Sequence, residues 1–167
     1  MKNLVLIGMP SAGKSTVGVI VAKNLGMSFI DTDVVLQTQQ GRLLQDIINK
    51  DGIENFLEIE ESTIISLQCE NTVIATGGSV IYSEKAMSHL KRNAVVIYLM
   101  IDLNTVNKRL NNIKTRGVVL GPGQNLNQVY ENRKPLYEKY ADITIDCSKY
   151  SIDTTINTIH RRLDSLS

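Results

Sequence analysis

The sequence predicts an α/β fold, a five-stranded parallel sheet flanked by helices. Three observations carry that expectation. Short apolar runs alternate along the chain with longer stretches of helical periodicity, the pattern of successive βαβ units. The first run, Leu4-Val5-Leu6-Ile7, is apolar at every position, as in a parallel strand buried on both faces. Between this run and the first helical stretch lies a loop with glycines at Gly8 and Gly13.

The elements follow in order. Val17, Ile20, Val21 and Leu25 recur at helical spacing from Lys14 onward, and Gly26 closes that helix as a C-terminal glycine does. Met27 to Ile30 is a second short strand running into Asp31-Thr32-Asp33. Val34 to about Glu70 reads as helical, broken near Gly41 and at Asp51-Gly52. Asn71 to Thr76 is a third strand, closed by Gly77-Gly78-Ser79. Ser83 is placed to cap a helix ending near Lys91, with Glu84 favourable in its first turn. Ala94 to Leu99 is the fourth strand, and Asp102 or Asn104 caps the next helix. From about Asn112 the chain carries Gly117, Gly121, Pro122 and Gly123 with little periodicity and reads as a mobile loop. Asn125 opens a helix to about Tyr140, Ile143 to Ile145 is the fifth strand, and Ile152 to Leu166 the terminal helix. With 167 residues and no repeat or linker to divide them, one domain is expected.

Bulk composition excludes several functions. A formal net charge of +1 and 21% charged residues give no basic face for nucleic acid or anionic lipid. No apolar stretch has the length of a membrane span, and the N-terminal run is too short for a secretory core; a cytoplasmic setting is expected. Cys69 and Cys147 lie far apart without metal-ligand spacing, and His89 and His160 are equally isolated, so reduced packed thiols are expected and neither a zinc site nor a Ser-His-Asp triad can be assembled. His160-Arg161-Arg162 sit late in the terminal helix, where cations favour the dipole on a solvated face.

The chemistry is carried by Gly8-Met9-Pro10-Ser11-Ala12-Gly13-Lys14-Ser15, followed by Thr16. This is the G-x-x-x-x-G-K-[ST] pattern of the phosphate-binding P-loop, in the required context of a buried strand before and a helix after. The two glycines let successive N–H groups form a phosphate cradle, to which the helix N-terminus adds its dipole. Lys14 offers a full charge to the β- and γ-phosphates, and the Ser15 hydroxyl a ligand for Mg²⁺. Such a loop implies a nucleoside triphosphate, Mg²⁺ and a second, small-molecule substrate.

Asp31 and Asp33 end the second strand, and in open parallel sheets ligands bind beyond the strands' carboxyl ends. Alternation along an extended segment points both the same way. One can hold magnesium and the other position a substrate hydroxyl; the alternative is that Asp31 merely ends a strand and Asp33 caps a helix. Gly77-Gly78-Ser79 permits close approach to a ligand or is a plain tight turn. Arg116 and Arg133 flank the mobile region, where arginines can stabilise a transferring phosphoryl group or remain surface residues.

Together these residues resemble the shikimate kinase family over essentially the whole chain. The matching pieces are the P-loop, Phe29-Ile30-Asp31-Thr32-Asp33, Gly41-Arg42, Phe56 with Glu60, Ala75-Thr76-Gly77-Gly78, and Arg133-Lys134-Pro135-Leu136-Tyr137. The resemblance implies a P-loop NTPase fold with a helical substrate-binding segment (about 32–61) and a lid (about 112–124). It implies ATP as co-substrate and shikimate as acceptor, giving shikimate 3-phosphate in aromatic amino acid biosynthesis, in a protein expected to be a monomer. Gly8, Ser11, Ala12, Gly13, Lys14, Ser15 and Thr16 then bind nucleotide, and Arg109 stacks on its base. Ser15 and Asp31 hold magnesium; Lys14, Asp33 and the lid arginine Arg116 are catalytic. The acceptor is bound by Asp33, Glu60, Gly77, Gly78, Ser79 and Arg133, the last gripping its carboxylate.

Three positions depart from the family pattern. Leu57 stands where an arginine follows the phenylalanine, Ser79 replaces a third glycine, and Arg116 is followed by Gly117-Val118-Val119 rather than proline and leucines. The missing arginine would share the substrate carboxylate, and a charged hydrogen bond of roughly 1.5 to 3 kcal/mol converts to about a 10- to 150-fold loss of affinity. The departures fall on the acceptor side. Either shikimate is bound through a rearranged clamp using Arg42 or a lysine, or the acceptor is another small polyol or hydroxy acid. A non-catalytic nucleotide-binding module is a further alternative. A nucleoside monophosphate kinase fits less well, because paired carboxylates repel a phosphorylated acceptor.

Overall fold

A computed structural model describes residues 2–111 and 123–166 of the chain. Its five strands are β1 (Asn3–Ile7), β2 (Ser28–Asp31), β3 (Thr72–Ala75), β4 (Ala94–Met100) and β5 (Ile143–Asp146). They form one sheet in the order β2-β3-β1-β4-β5, with every neighbouring pair parallel. β1 and β3 are buried at every position, whereas the edge strand β5 alternates buried and exposed. That contrast is why the central strands read as unbroken apolar runs: both of their faces are covered.

The helices are α1 (Lys14–Leu25), α2 (Thr32–Gln40), α3 (Leu44–Ser66), α4 (Glu84–Lys91), α5 (Leu103–Asn111), α6 (Leu126–Tyr140) and α7 (Ile152–Asp164). Several begin where a side chain caps them. The Ser83 hydroxyl accepts from Ala86 N, Asp102 Oδ1 from Thr105 N, and Asn125 and Gln128 form a reciprocal capping box at the start of α6. Gly26 ends α1 in the left-handed conformation, as its position predicts.

The boundaries differ from expectation in a few places. α3 stops at Ser66 rather than near Glu70, because Asn3 takes over the chain beyond it. Its Nδ2 donates to Cys69 O at 2.8 Å and its Oδ1 accepts from Thr72 N at 3.0 Å. A short 3-10 turn, Val80–Tyr82, follows Ser79 and was not anticipated. The terminal helix ends at Asp164.

Two apolar clusters hold the molecule. The larger packs the sheet against α1, α4, α6 and α7. A smaller one, Leu36, Ile47 and Phe56 with Leu57 among its partly buried neighbours, holds α2 against α3. The helical segment α2–α3 therefore has a small core of its own.

Candidate active site

The P-loop lies at the carboxyl end of β1, between strands whose connections run in opposite directions along the sheet, the place where open α/β sheets bind ligands. Gly8 passes so close to β4 that a Cβ there would meet Leu99 O at 2.6 Å. Gly13 takes a left-handed conformation (φ 92°) at the start of α1, and Ser11 does so as well (φ 70°). Lys14 is 8% exposed and its Nζ donates to Gly8 O at 2.8 Å and Met9 O at 2.9 Å. Arg109 on α5 donates from Nη1 to Ser11 O at 2.8 Å, which brings it to the loop. Ser15 and Thr16 are exposed in the first turn of α1. Ala12 is buried, and its N–H donates to Met9 O at 3.1 Å.

Asp31 joins the two halves of the site. Its Oδ2 accepts from the Ser15 hydroxyl at 2.6 Å, while Oδ1 accepts from Asp33 N at 3.0 Å and caps α2. The strand-alternation argument for Asp31 and Asp33 needs correction here. Asp31 is the last strand residue, but Asp33 lies in the first turn of α2. The two face one region because a strand end and a helix start meet, and Asp31 rather than Asp33 is the cap. A hydroxyl beside a carboxylate is an oxygen donor pair suited to a hard divalent cation whose other ligands are phosphates and water.

The acceptor side is assembled by side chains. Glu60 on α3 is 4% exposed; its Oε1 accepts from the Ser79 hydroxyl at 2.8 Å, and its Oε2 has no hydrogen-bond partner among the described residues. Burial pushes the Glu60 carboxyl up to about 7; the Ser79 hydrogen bond pulls against it, the negative field of Asp33 adds a smaller upward push, and Arg133 and Lys14 lower it slightly. A Cβ on Gly77 would lie 2.6 Å from Glu60 Oε2 and 2.8 Å from Asp33 Oδ1, so both carboxyl groups close on the same point of bare backbone. The glycine turn is thus packed against two carboxyl groups, with no room for a side chain at Gly77.

Arg133 on α6 is 1% exposed and lies under the turn. Its Nε donates to the Tyr82 hydroxyl at 3.2 Å, and a Cβ on Gly78 would meet its Nη1 at 2.8 Å. Leu57 packs into the small cluster of α2 and α3. Arg42 does not supply a substitute cation to the pocket: both arms of its guanidinium are held by Asp51, at 3.1 and 2.5 Å. Arg116 and the expected lid (about 112–124, apart from its last two residues) lie outside the described residues.

Two site residues had no role assigned from sequence. The Thr32 hydroxyl accepts from Gly77 N at 3.2 Å and ties the start of α2 to the glycine turn. The Tyr137 hydroxyl donates to Gly78 O at 2.6 Å and lies 3.9 Å from Met9 Sδ, so one side chain touches both the acceptor turn and the P-loop. Burial pushes the Tyr137 hydroxyl far up, so it remains a donor. Its place in the R-x-P-L-Y run was visible; its long-range partner was not.

Comparison with known proteins agrees with this geometry. The family model described as shikimate kinase matches residues 10–164. The chain is 35% identical to the shikimate kinase of Thermodesulfovibrio yellowstonii, across 100% of this chain and 98% of that one. It is 34% identical to that of Sulfurihydrogenibium sp., across 97% and 100%. Among solved structures, shikimate kinase from Acinetobacter baumannii in complex with shikimate superposes with a TM-score of 0.89 at 28% identity, covering 100% of this chain and 95% of that one. A gluconokinase from Sinorhizobium meliloti shares the fold alone, with a TM-score of 0.57 at 13% identity, over 99% of this chain and 93% of that one.

Proposed function

Because the chain belongs to the shikimate kinase family of ATP-dependent small-molecule kinases, we propose that it transfers the γ-phosphate of ATP to the 3-hydroxyl of shikimate. The observation that carries this reading is the contact of Ser15 with Asp31, which joins the two halves of the site. Through Ser15 and Asp31 the P-loop abuts the corner from which Asp33 and Glu60 converge on Gly77. A phosphate held on the loop and a hydroxyl held at Asp33 are therefore neighbours, as in-line transfer requires.

Each residue has a role in this reading. The N–H groups between Gly8 and Thr16 cradle the phosphates, Lys14 neutralises the transferring group, and Arg109 stacks on the base. Asp33 accepts the hydrogen bond of the attacking hydroxyl and orients it. Gly77, Gly78, Ser79 and Glu60 shape the acceptor pocket, and Arg133 attracts the acceptor carboxylate from beneath the turn. Arg116 is assigned as the lid arginine on sequence alone. Ser15 and Asp31 fit Mg²⁺, which supplies charge neutralisation at the phosphates when bound. The reading treats the chain as one kinase domain, with residues 32–61 as the acceptor-binding segment and 112–124 as the lid. It further takes the protein to be a cytoplasmic monomer. No helix among the described residues is long and apolar enough to cross a membrane.

A second reading, transfer to another small polyol or hydroxy acid, is favoured by one observation. Leu57 packs in an apolar cluster where the family pattern supplies a cation for the acceptor carboxylate. Incubation with Mg·ATP and shikimate, followed by phosphorus NMR, separates the two. A phosphomonoester on the 3-hydroxyl supports the first, and its absence beside turnover of a neutral polyol supports the second.

A further inference from the structure

Asp33 and Glu60 are two carboxyl groups facing one acceptor pocket, yet their surroundings differ. Asp33 is in the first turn of α2 and only half-buried. Glu60 is within α3 and 4% exposed; among the described residues Ser79 donates to its Oε1 and Oε2 has no hydrogen-bond partner. Oε2 is aimed at the bare backbone of Gly77, beside Asp33 Oδ1. Two like charges converging on one point do not both ionise readily, and the one in the drier setting keeps its proton. A buried oxygen left without a donor is costly as a carboxylate and well used as an O–H that reaches a ligand.

We propose that Glu60 works as a neutral hydrogen-bond donor to the acceptor, its proton on Oε2, with Ser79 as the positioning residue that holds Oε1 and so aims the proton into the pocket. This rests on the reading of that pocket as the acceptor site, and it deepens it. The pocket then offers a carboxylate, Asp33, to a hydroxyl that donates, and an acid, Glu60, to an oxygen that accepts. It is built for an acceptor whose reactive hydroxyl neighbours a second oxygen, a hydroxyl or carboxylate. With Leu57 bringing no charge, that second oxygen is read by a hydrogen bond from an acid.

The charged and titratable groups around Glu60 are consistent with this. Asp33 from α2 raises its proton affinity, Lys14 from α1 and Arg133 from α6 lower it, and burial, the largest influence, raises it. Tyr137 from α6 also faces Glu60 and remains protonated.

The test follows the proton with and without turnover. Carbon-13 NMR of δ-labelled glutamate in the acceptor-free protein is expected to show Glu60 titrating near 7. In Ser79→Ala, which loses the donor that favours the charged form, the midpoint should move up by about one pH unit or more. In steady-state assays at saturating Mg·ATP, the acceptor KM should be flat below that midpoint. Above it, KM should rise by up to about tenfold per pH unit, with kcat changing less. Glu60→Gln, whose amide donates at every pH, should lose this pH dependence. A Glu60 signal titrating in the ordinary glutamate range, or a wild-type KM flat from pH 6 to 9, would overturn the proposal. Lack of turnover with shikimate would overturn the functional reading instead, and the NMR titration would still decide the proton.

Discussion

The nucleotide half and the acceptor half of the site are built in opposite ways. The nucleotide half is largely backbone. Eight consecutive residues between a buried strand and a helix form the loop, and Lys14 is fixed by carbonyls of that same loop. The acceptor half is side chains brought from distant places: Asp33 from α2, Glu60 from α3, Ser79 after β3 and Arg133 from α6. A backbone cradle tolerates little change without losing phosphate altogether, whereas a side-chain pocket can be retuned one residue at a time. All the departures from the family pattern, including Leu57 and Ser79, fall on the acceptor side or the lid, and none on the cradle.

The largest expected effect is at the cradle. Lys14→Ala removes the charge at the transferring phosphate and should lower kcat by about 10²- to 10³-fold or more, while acceptor binding measured by calorimetry stays within about threefold. Gly77→Ala should do the reverse. Its Cβ would lie under 3 Å from both Glu60 Oε2 and Asp33 Oδ1, so acceptor affinity should fall at least about tenfold with nucleotide affinity unchanged. If either substitution damaged both halves equally in a folded protein, the separation of the two would be wrong.

A smaller effect comes from the pH dependence of stability. The Glu60 carboxyl is raised from 4.5 to about 7 by folding, so the native state holds a proton that the unfolded chain has released. Stability from this group is therefore fully present below pH 4.5 and is lost as pH rises through 7. The loss is ~3 kcal/mol in wild type and absent in Glu60→Gln. Urea denaturation of both proteins at pH 4.5 and pH 8 measures the difference, and parallel pH profiles would contradict it. The smallest effect is at the link between the halves. Tyr137→Phe keeps the ring stacked on Tyr98 at 5.0 Å but removes the bond to Gly78 O. It should cost about 1 kcal/mol in thermal or urea unfolding and raise acceptor KM by a few fold.

How much of this was legible in the sequence follows from the same contrast. The sheet, its helices and the P-loop were readable because each rests on local pattern: full burial of β1, helical spacing in α1, caps at Ser83 and Asn125. That Asp31 and Asp33 share one region was readable, but not by strand alternation, since the strand ends at Asp31 and Asp33 lies in the helix. The hydrogen bond between Glu60 and Ser79 spans 19 positions and that between Tyr137 and Gly78 spans 59. Neither leaves a periodic trace, so Ser79 read only as a lost glycine and Tyr137 only as part of a motif. Arg42 read as a spare cation because its bond to Asp51, nine positions away, follows no helical or strand spacing.

The central claim is that a phosphate on the loop passes to a hydroxyl held at Asp33. Its most direct test is shikimate-dependent ADP release by wild type and Asp33→Asn, with ATP affinity measured on the same samples. The account predicts turnover in wild type, a loss of about 10²- to 10⁴-fold in the variant, and ATP binding equal within about twofold. Equal turnover in both proteins would contradict it, because the acceptor would then be held somewhere else.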